Sequence, residues 1–336
     1  MRAVVLVGGF GTRLRPLTNT VPKPLLPVGH VPIVEHVIAN LARGGVTEAV
    51  LALGFKPDDF TAAYPDGTCA GVRLHYAIES EPLDTAGAIA FAAGHVGIDE
   101  TFIVANGDVL TDLDVSELVD FHRRHRAEGS LHLFPVEDPS VFGVVATDDN
   151  GRVTAFVEKP PPGEAPSNLI NAGTYVLEPS VLHRIEPGRK VSIERVTFPA
   201  MVAAGSLYAM GREVYWLDVG RPEPYRQANL DLLDGKRRHV RADAFGASAV
   251  VDGAADVEHS MIGPAAIVAA GARVRDSVVL DGSVIAAGAH IDSCVLGPGT
   301  QVGTGAHLVR VVTGEAVVIE AGSHLVDVRV PEPSVS

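Results

Sequence analysis

Cysteine is nearly absent from this chain, with two residues, Cys69 and Cys294, among 336 positions. They stand far apart with no CxxC or histidine-rich company, which excludes a disulfide framework, argues against a zinc site and leaves the reduced thiols of a cytoplasmic protein as the expected state. Long apolar runs are missing too. None approaches the ~20 residues of a bilayer span, and the run before Gly8 is too short for a signal peptide, so no membrane association is expected. A basic surplus is likewise lacking: 27 Lys and Arg against 41 Asp and Glu give a net charge of −14, the wrong sign for a nucleic-acid surface. The basic clusters HRRHR (His122–Arg126) and KRRHVR (Lys236–Arg241) are short and read as solvated helix faces or a linker.

What is present begins at once. Ala3 to Val7 is a continuous apolar run suited to a strand buried on both faces of a parallel sheet. It leads into Gly8, Gly9 and Gly11, a turn free of side-chain bulk, so that backbone N–H groups can approach phosphate oxygens. Thr12, Arg13 and Arg15 follow, and Lys23 sits between Pro22 and Pro24, a point charge on a stiffened loop. The spacing matches neither the Walker loop nor GxGxxG. The glycines alone also fit a tight strand-to-helix connection with solvated arginines; the added Arg, Arg and Pro-Lys-Pro favour a loop that holds a polyphosphate.

Up to about Asp234 apolar strands alternate with amphipathic stretches, which predicts an α/β domain with a mostly parallel sheet wrapped by helices. Strands are expected at Ala3–Val7, Ala49–Leu53, Arg73–Ala77 and Thr101–Ala105, and helices at Ile33–Arg43, Thr85–Ala93 and Val115–Arg126. Val144–Thr147 and Val153–Val157 flank Asp149-Asn150-Gly151, a hairpin turn and an antiparallel excursion. From about Phe245 the texture becomes short, glycine-rich and aliphatic. Ile262, Val268, Val274 and Leu280 fall six apart, then Ile285 and Ile291, then Leu296, Val302 and Leu308, with one residue dropped at each phase break. This is a hexapeptide repeat, the signature of a β-helix whose coils stack apolar corners inward. Gly263-Pro264, Gly297-Pro298 and Gly303-Thr304 would form corners. Two domains are expected, at 1–235 and 245–330.

GGFGTRLRPLT with PKPL resembles the signature of the sugar-1-phosphate nucleotidyltransferases, most closely the GDP-mannose pyrophosphorylase (mannose-1-phosphate guanylyltransferase) group. The likeness continues in order through EPLDTAG, NGDV, FGVV, FVEKP, NAGTYVL and YWLDVG, nearly the whole chain. It implies a Rossmann-like nucleotidyltransferase domain followed by a left-handed parallel β-helix, and a homo-oligomer, dimeric or higher. It also implies transfer of a nucleotidyl group from a nucleoside triphosphate to a sugar-1-phosphate, with release of pyrophosphate.

Residue by residue, the resemblance implies nucleotide contacts at Leu6, Gly8, Gly9, Gly11, Thr12, Arg13, Glu79 and Asp84, with Arg13 and Lys23 acting on the reacting phosphates. Asp108, after its strand in NGDV, and Asp218 in WLDVG stand at metal positions. Carboxylates there suit magnesium, which is held by one or two carboxylates plus substrate phosphates; each aspartate alone also fits a turn or helix cap. Gly143, Glu158, Lys159 and Asn171 stand at sugar-phosphate positions, although Glu158-Lys159 alone reads equally as an edge-strand salt bridge.

Two departures and one substitution matter. Phe142 replaces the tyrosine of many relatives, and Asp84 replaces the glycine of PLGTAG, bringing a Cβ and a charge to the base-binding segment. Glu79 stands where thymidylyl and uridylyl relatives carry glutamine. A carboxylate only accepts hydrogen bonds, so it suits guanine's adjacent imino and amino donors and repels the carbonyls of uracil or thymine. The expected reaction is therefore GTP with a hexose-1-phosphate, mannose-1-phosphate foremost. Its rivals are glucose-1-phosphate with UTP or dTTP, a heptose-type sugar phosphate with GTP, a non-catalytic regulatory subunit of the same fold, and acyl transfer by the repeat through His290, His307 or His324.

Overall fold

The computed structural model describes residues 1–54 and 56–333. The chain forms two compact units, one of Met1–Gly9 with Val34–Trp216 and the other of Phe10–Ile33 with Leu217–Ser336.

The first unit is built on one mixed sheet. In chain order its strands are β1 (Arg2–Leu6), β2 (Glu48–Leu53), β3 (Thr68–Cys69), β4 (Val72–Ile78), β5 (Phe102–Asn106), β6 (Gly129–Pro135), β7 (Gly143–Thr147), β8 (Val153–Glu158), β9 (Leu169–Leu177) and β10 (Leu207–Gly211). The order across the sheet is β8-β7-β9-β5-β1-β2-β4-β3, with β6 paired to both β9 and β10. Strand β1 is central, parallel to β2 and β5, with Ala3 opposite Ala49 on one side and Ile103 on the other. Ala3, Val4 and Val5 are fully buried, as the continuous apolar run predicts for a strand covered on both faces.

Helices α1 (Ile33–Arg43), α2 (Pro57–Ala63), α3 (Asp84–His95), α4 (Val115–His125) and α5 (Phe198–Ala203) complete the unit. The antiparallel part is larger than the one hairpin read from sequence: β9 runs antiparallel to β5, β6 and β7. Its polar Asn171, Gly173 and Thr174 interrupt the apolar alternation that reveals a strand. The hairpin itself stands. Strands β7 and β8 pair with Gly143 opposite Glu158, and the Asp148 carboxylate accepts from the backbone N–H groups of Asn150 and Arg152 to fix the turn.

The first basic cluster is a solvated face at Arg123, Arg124 and Arg126, with one exception. His122 is buried on the inner side of α4, with hydrogen bonds at 2.9 Å to Ser130 and to Glu178. In the second cluster Arg237 is also buried, while Lys236, Arg238, His239 and Arg241 are exposed as expected.

In the second unit, helix α6 (Pro222–Leu233) precedes a stack of short strands in three parallel five-stranded sheets, arranged as a left-handed parallel β-helix. Val274 faces Ile291 and Ile291 faces Leu308, an offset of 17 residues that recurs through all three sheets. All nine aliphatic residues of the predicted hexad are buried. Each such side chain contributes roughly 1.5–3 kcal/mol relative to exposure.

One phase assignment is corrected. The stack runs Ile262, Val279, Leu296, so Val279 rather than Leu280 follows Val274 in the repeat. The coil is two hexads and a pentad, and at the shortened corner Asp276, Ser293, Arg310 and Asp327 all adopt left-handed φ between 45° and 55°. The predicted glycine corners have a steric reason: a Cβ on Gly297 would lie 2.3 Å from the Gly314 carbonyl oxygen of the next coil.

Candidate active site

In the first unit the parallel strands β1, β2, β4 and β5 place their carboxyl ends along one sheet edge, where open α/β sheets bind ligands. Half-buried Leu6 ends β1, Gly8 and Gly9 follow it, Glu79 follows β4 and Asp108 follows β5. Backbone bonds hold these turns to the sheet, Gly107 N–H to the Leu6 carbonyl at 2.9 Å and Glu79 N–H to the Leu53 carbonyl at 2.8 Å. A Cβ on Gly8 would sit 3.3 Å from the Gly54 nitrogen, whereas one on Gly9 would meet open space. Gly8 is thus closely packed against Gly54, and Gly9 leaves its backbone open.

Glu79 is half-buried rather than a fully solvated neighbour of Glu81. One carboxylate oxygen accepts from the Leu83 N–H at 3.0 Å, just ahead of α3, and desolvation raises the pKa above the usual glutamate range. Asp84 is exposed and has φ of +60°, the left-handed region that glycine adopts without cost. The backbone therefore keeps the glycine-type turn of PLGTAG. Aspartate tolerates it because its carboxylate accepts locally, here from the Thr85 N–H at 2.8 Å.

The other half of the sheet gathers the sugar-phosphate candidates. A Cβ on Gly143 would lie 2.9 Å from both the Glu158 carboxylate and the Phe156 ring, so glycine is what lets Glu158 occupy this place. Desolvation is the first cause of a raised Glu158 pKa, the negative Glu194 the second, and Lys159 opposes them. The Lys159 ammonium is 3.7 Å from Glu158 and mostly exposed. Asn171 donates to the Tyr175 hydroxyl at 2.9 Å and accepts from the Gly173 N–H at 3.2 Å, which locks its amide.

Two contributors here escaped the sequence reading. Glu194 accepts from Thr85 and Ser192, each at 2.7 Å. Trp216 stacks on Phe134 at 5.2 Å, meets the edge of Phe142 at 5.8 Å and donates to the Ala172 carbonyl. Phe142 thus serves as ring packing, with no hydroxyl to offer a ligand. Trp216 lies in the YWLDVG motif, the only tryptophan of the chain, and that scarcity was the available signal.

In the second unit Gly11, at φ +62°, opens the helical turn Thr12–Leu14, and its carbonyl accepts from the Leu14 N–H and the Thr18 hydroxyl. A Cβ there would lie 3.1 Å from the Lys23 and Thr18 side chains. Thr12 and Arg13 are exposed, while Lys23 is buried with its ammonium 3.7 Å from Asp218. A Cβ on Gly220 would lie 2.9 Å from an Arg13 guanidinium nitrogen and 3.0 Å from an Asp218 oxygen. Arg13, Lys23 and Asp218 are therefore brought together around Gly220. Arg329, unforeseen in the sequence, donates to the carbonyls of Arg13 at 3.1 Å and Arg15 at 3.0 Å.

A glycine-bearing loop after the central strand, carboxylates at strand ends and a hexad β-helix fit a class of nucleotide-using transferase. Residues 2–235 match the nucleotidyl transferase family, and the chain belongs to that family. Residues 244–334 match the GMPPB C-terminal domain.

Among its relatives is the mannose-1-phosphate guanylyltransferase of Mycobacterium tuberculosis, 45% identical over 69% of this chain; the match spans 65% of that protein, just under two thirds of its length. The mannose-1-phosphate guanyltransferase of Schizosaccharomyces pombe is 42% identical over 77% of this chain and 72% of its own. Among solved structures, HddC from Yersinia pseudotuberculosis complexed with GMP-PN is 29% identical, covers 68% of this chain and 97% of its own, and superposes with a TM-score of 0.58.

Proposed function

We propose that the protein transfers a guanylyl group from GTP to mannose-1-phosphate, giving GDP-mannose and pyrophosphate. The observation that carries the choice of GTP is Glu79, a half-buried carboxylate at the carboxyl end of β4 with one oxygen anchored by Leu83. Its other oxygen and remaining lone pairs can accept from guanine, and the names of the mannose-1-phosphate relatives support the sugar.

A sugar-1-phosphate oxygen attacks the α-phosphorus in line and pyrophosphate leaves. The nucleophile is already an anion, so the step needs positioning and charge neutralisation rather than a general base. Exposed Arg13 takes the triphosphate and the leaving pyrophosphate. Lys23, buried and held beside Asp218, steadies the reacting phosphates at a fixed point. Gly8, Gly9, Gly11, Leu6 and Thr12 shape the nucleotide loop, and Asp84 borders the base. Glu158 accepts from sugar hydroxyls, Lys159 meets the sugar phosphate, and Asn171 and the Gly143 backbone complete that side.

The family uses a divalent metal, and the donor set here suits magnesium. By the family resemblance Asp108 and Asp218 would hold the ion, with water and substrate phosphates supplying the rest. When bound, it neutralises phosphate charge.

The reading takes 1–235 as the catalytic domain and 245–330 as the repeat, whose flat faces offer surfaces for assembly of a homo-oligomer. The two buried, free cysteines, pushed up to about 12 for Cys69 and about 11 for Cys294, suit the cytoplasm.

The substitution Glu79→Gln tests the base assignment. Glutamine can still accept from Leu83, but presents a donor where guanine needs an acceptor. We expect kcat/KM for GTP to fall by about tenfold or more relative to UTP. An unchanged ratio of GTP to UTP would refute Glu79 as the base reader.

A further inference from the structure

The second unit holds a cavity of about 280 Å³ between the start of α6 and one face of the β-helix. Its walls carry Arg226 and Arg329, Glu223 and Asp327, over a floor that includes Val295 and Val312. Both arginines are only partly exposed, and among the described residues neither guanidinium is paired with a carboxylate. Arg226 donates through one nitrogen to the Asp276 carbonyl, and Arg329 through one nitrogen to the carbonyls of Arg13 and Arg15. Each guanidinium has five N–H donors in a fork that matches phosphate, so each keeps an unused edge. The third arginine of the cavity, Arg310, is already committed to both oxygens of Asp327.

We propose that this cavity is a second ligand site, for a sugar phosphate. Two half-buried, uncompensated guanidiniums call for a dianion, which makes bidentate charge-assisted bonds with them. The exposed Glu223 carboxylate only accepts hydrogen bonds and so selects hydroxyl groups, while the valine floor covers the C–H face of a sugar ring. The volume falls at the small end of ligand sites, suited to a monosaccharide phosphate rather than a nucleotide sugar.

The site is also coupled to the loop before it. A phosphate on the free edge of Arg329 fixes that guanidinium while leaving its bonds to the Arg13 and Arg15 carbonyls in place. Occupancy therefore orders the loop that carries Arg13 and raises kcat. This coupling rests on the role proposed for Arg13; the binding does not.

Calorimetric titration of the full chain with glucose 6-phosphate and with inorganic phosphate tests the site. The proteins to compare are the wild type, Arg226→Ala, Arg226→Lys and Glu223→Gln, with melting curves to confirm folding. Arg226→Ala should weaken the sugar phosphate by about tenfold or more, and Arg226→Lys, which keeps the charge without the fork, should weaken it less. Glu223→Gln should weaken the sugar phosphate and spare inorganic phosphate. Should Arg226→Ala fail to fold, the other two variants decide the matter.

Equal affinity in all four proteins, or no binding, overturns the site. Inorganic phosphate binding as tightly as the sugar phosphate overturns the sugar assignment. In turnover assays saturating glucose 6-phosphate should raise kcat several-fold in wild type and not in Arg226→Ala; no change or a fall overturns the coupling. Binding that depends on Arg226 in a protein without guanylyltransferase turnover would instead refute the proposed function and leave the site standing.

Discussion

Glu158 ties the packing of the sheet to the chemistry proposed for it. It occupies space left open by the missing Cβ of Gly143, and its pKa is raised by desolvation and by Glu194. In the role proposed for it, the ionised form accepts sugar hydroxyls, and protonation removes part of that capacity. Its proton therefore binds at higher pH than on an ordinary glutamate, and kcat/KM for the sugar phosphate should fall on acidification through that raised value. Glu194→Gln removes the neighbouring charge and should shift this acid limb to lower pH, a change visible in the pH profile. A limb that stays in place would mean that another group titrates.

At the same scale, sequence gave Asp84 and Phe142 as departures without their consequence. The structure shows Asp84 keeping a glycine-type φ and Phe142 packed on Trp216, because conformation and ring contacts depend on neighbours distant in the chain.

At the scale of elements, legibility followed periodicity. Helix α1 was readable over Ile33–Arg43 from its amphipathic spacing, and β1 and β2 from their apolar runs, because one period repeats within each segment. Strands β6 and β9 were not, since β9 holds Asn171, Gly173 and Thr174 for the site at the expense of alternation. The β-helix was legible as a hexad, but its pentad corner was placed one residue late, because Val279 and Leu280 are both aliphatic and both buried.

The coil makes its own prediction. In Gly297→Ala the new methyl would meet backbone, the Gly314 carbonyl, rather than a side chain that could turn away. The coils must part, at a cost of about 1–3 kcal/mol, which a lower urea midpoint would register. An unchanged midpoint would contradict the close stacking described.

At the scale of the whole molecule, few features of the two units stand apart from the sheet and the coil. Among the described residues no helix is long and apolar enough to cross a membrane, and the few cysteines are free and buried. Several motifs that carry the family likeness fall on strand ends and turns, as GGFGTRLRPLT and NGDV do, whereas NAGTYVL lies within β9, so the candidate residues were legible by motif even where their strand was not. Glu194, Trp216 and Arg329 were not legible, because each acts through a partner far along the chain: Thr85, Phe134 and the Arg13 carbonyl.

The most direct test of the account is pyrophosphate release by the purified protein with magnesium, across GTP, ATP, UTP, dTTP and CTP, each paired with mannose-1-phosphate and with glucose-1-phosphate. The account predicts strong release with GTP and mannose-1-phosphate and little with any other pair. Preference for a pyrimidine nucleotide, or silence with every pair, would contradict it.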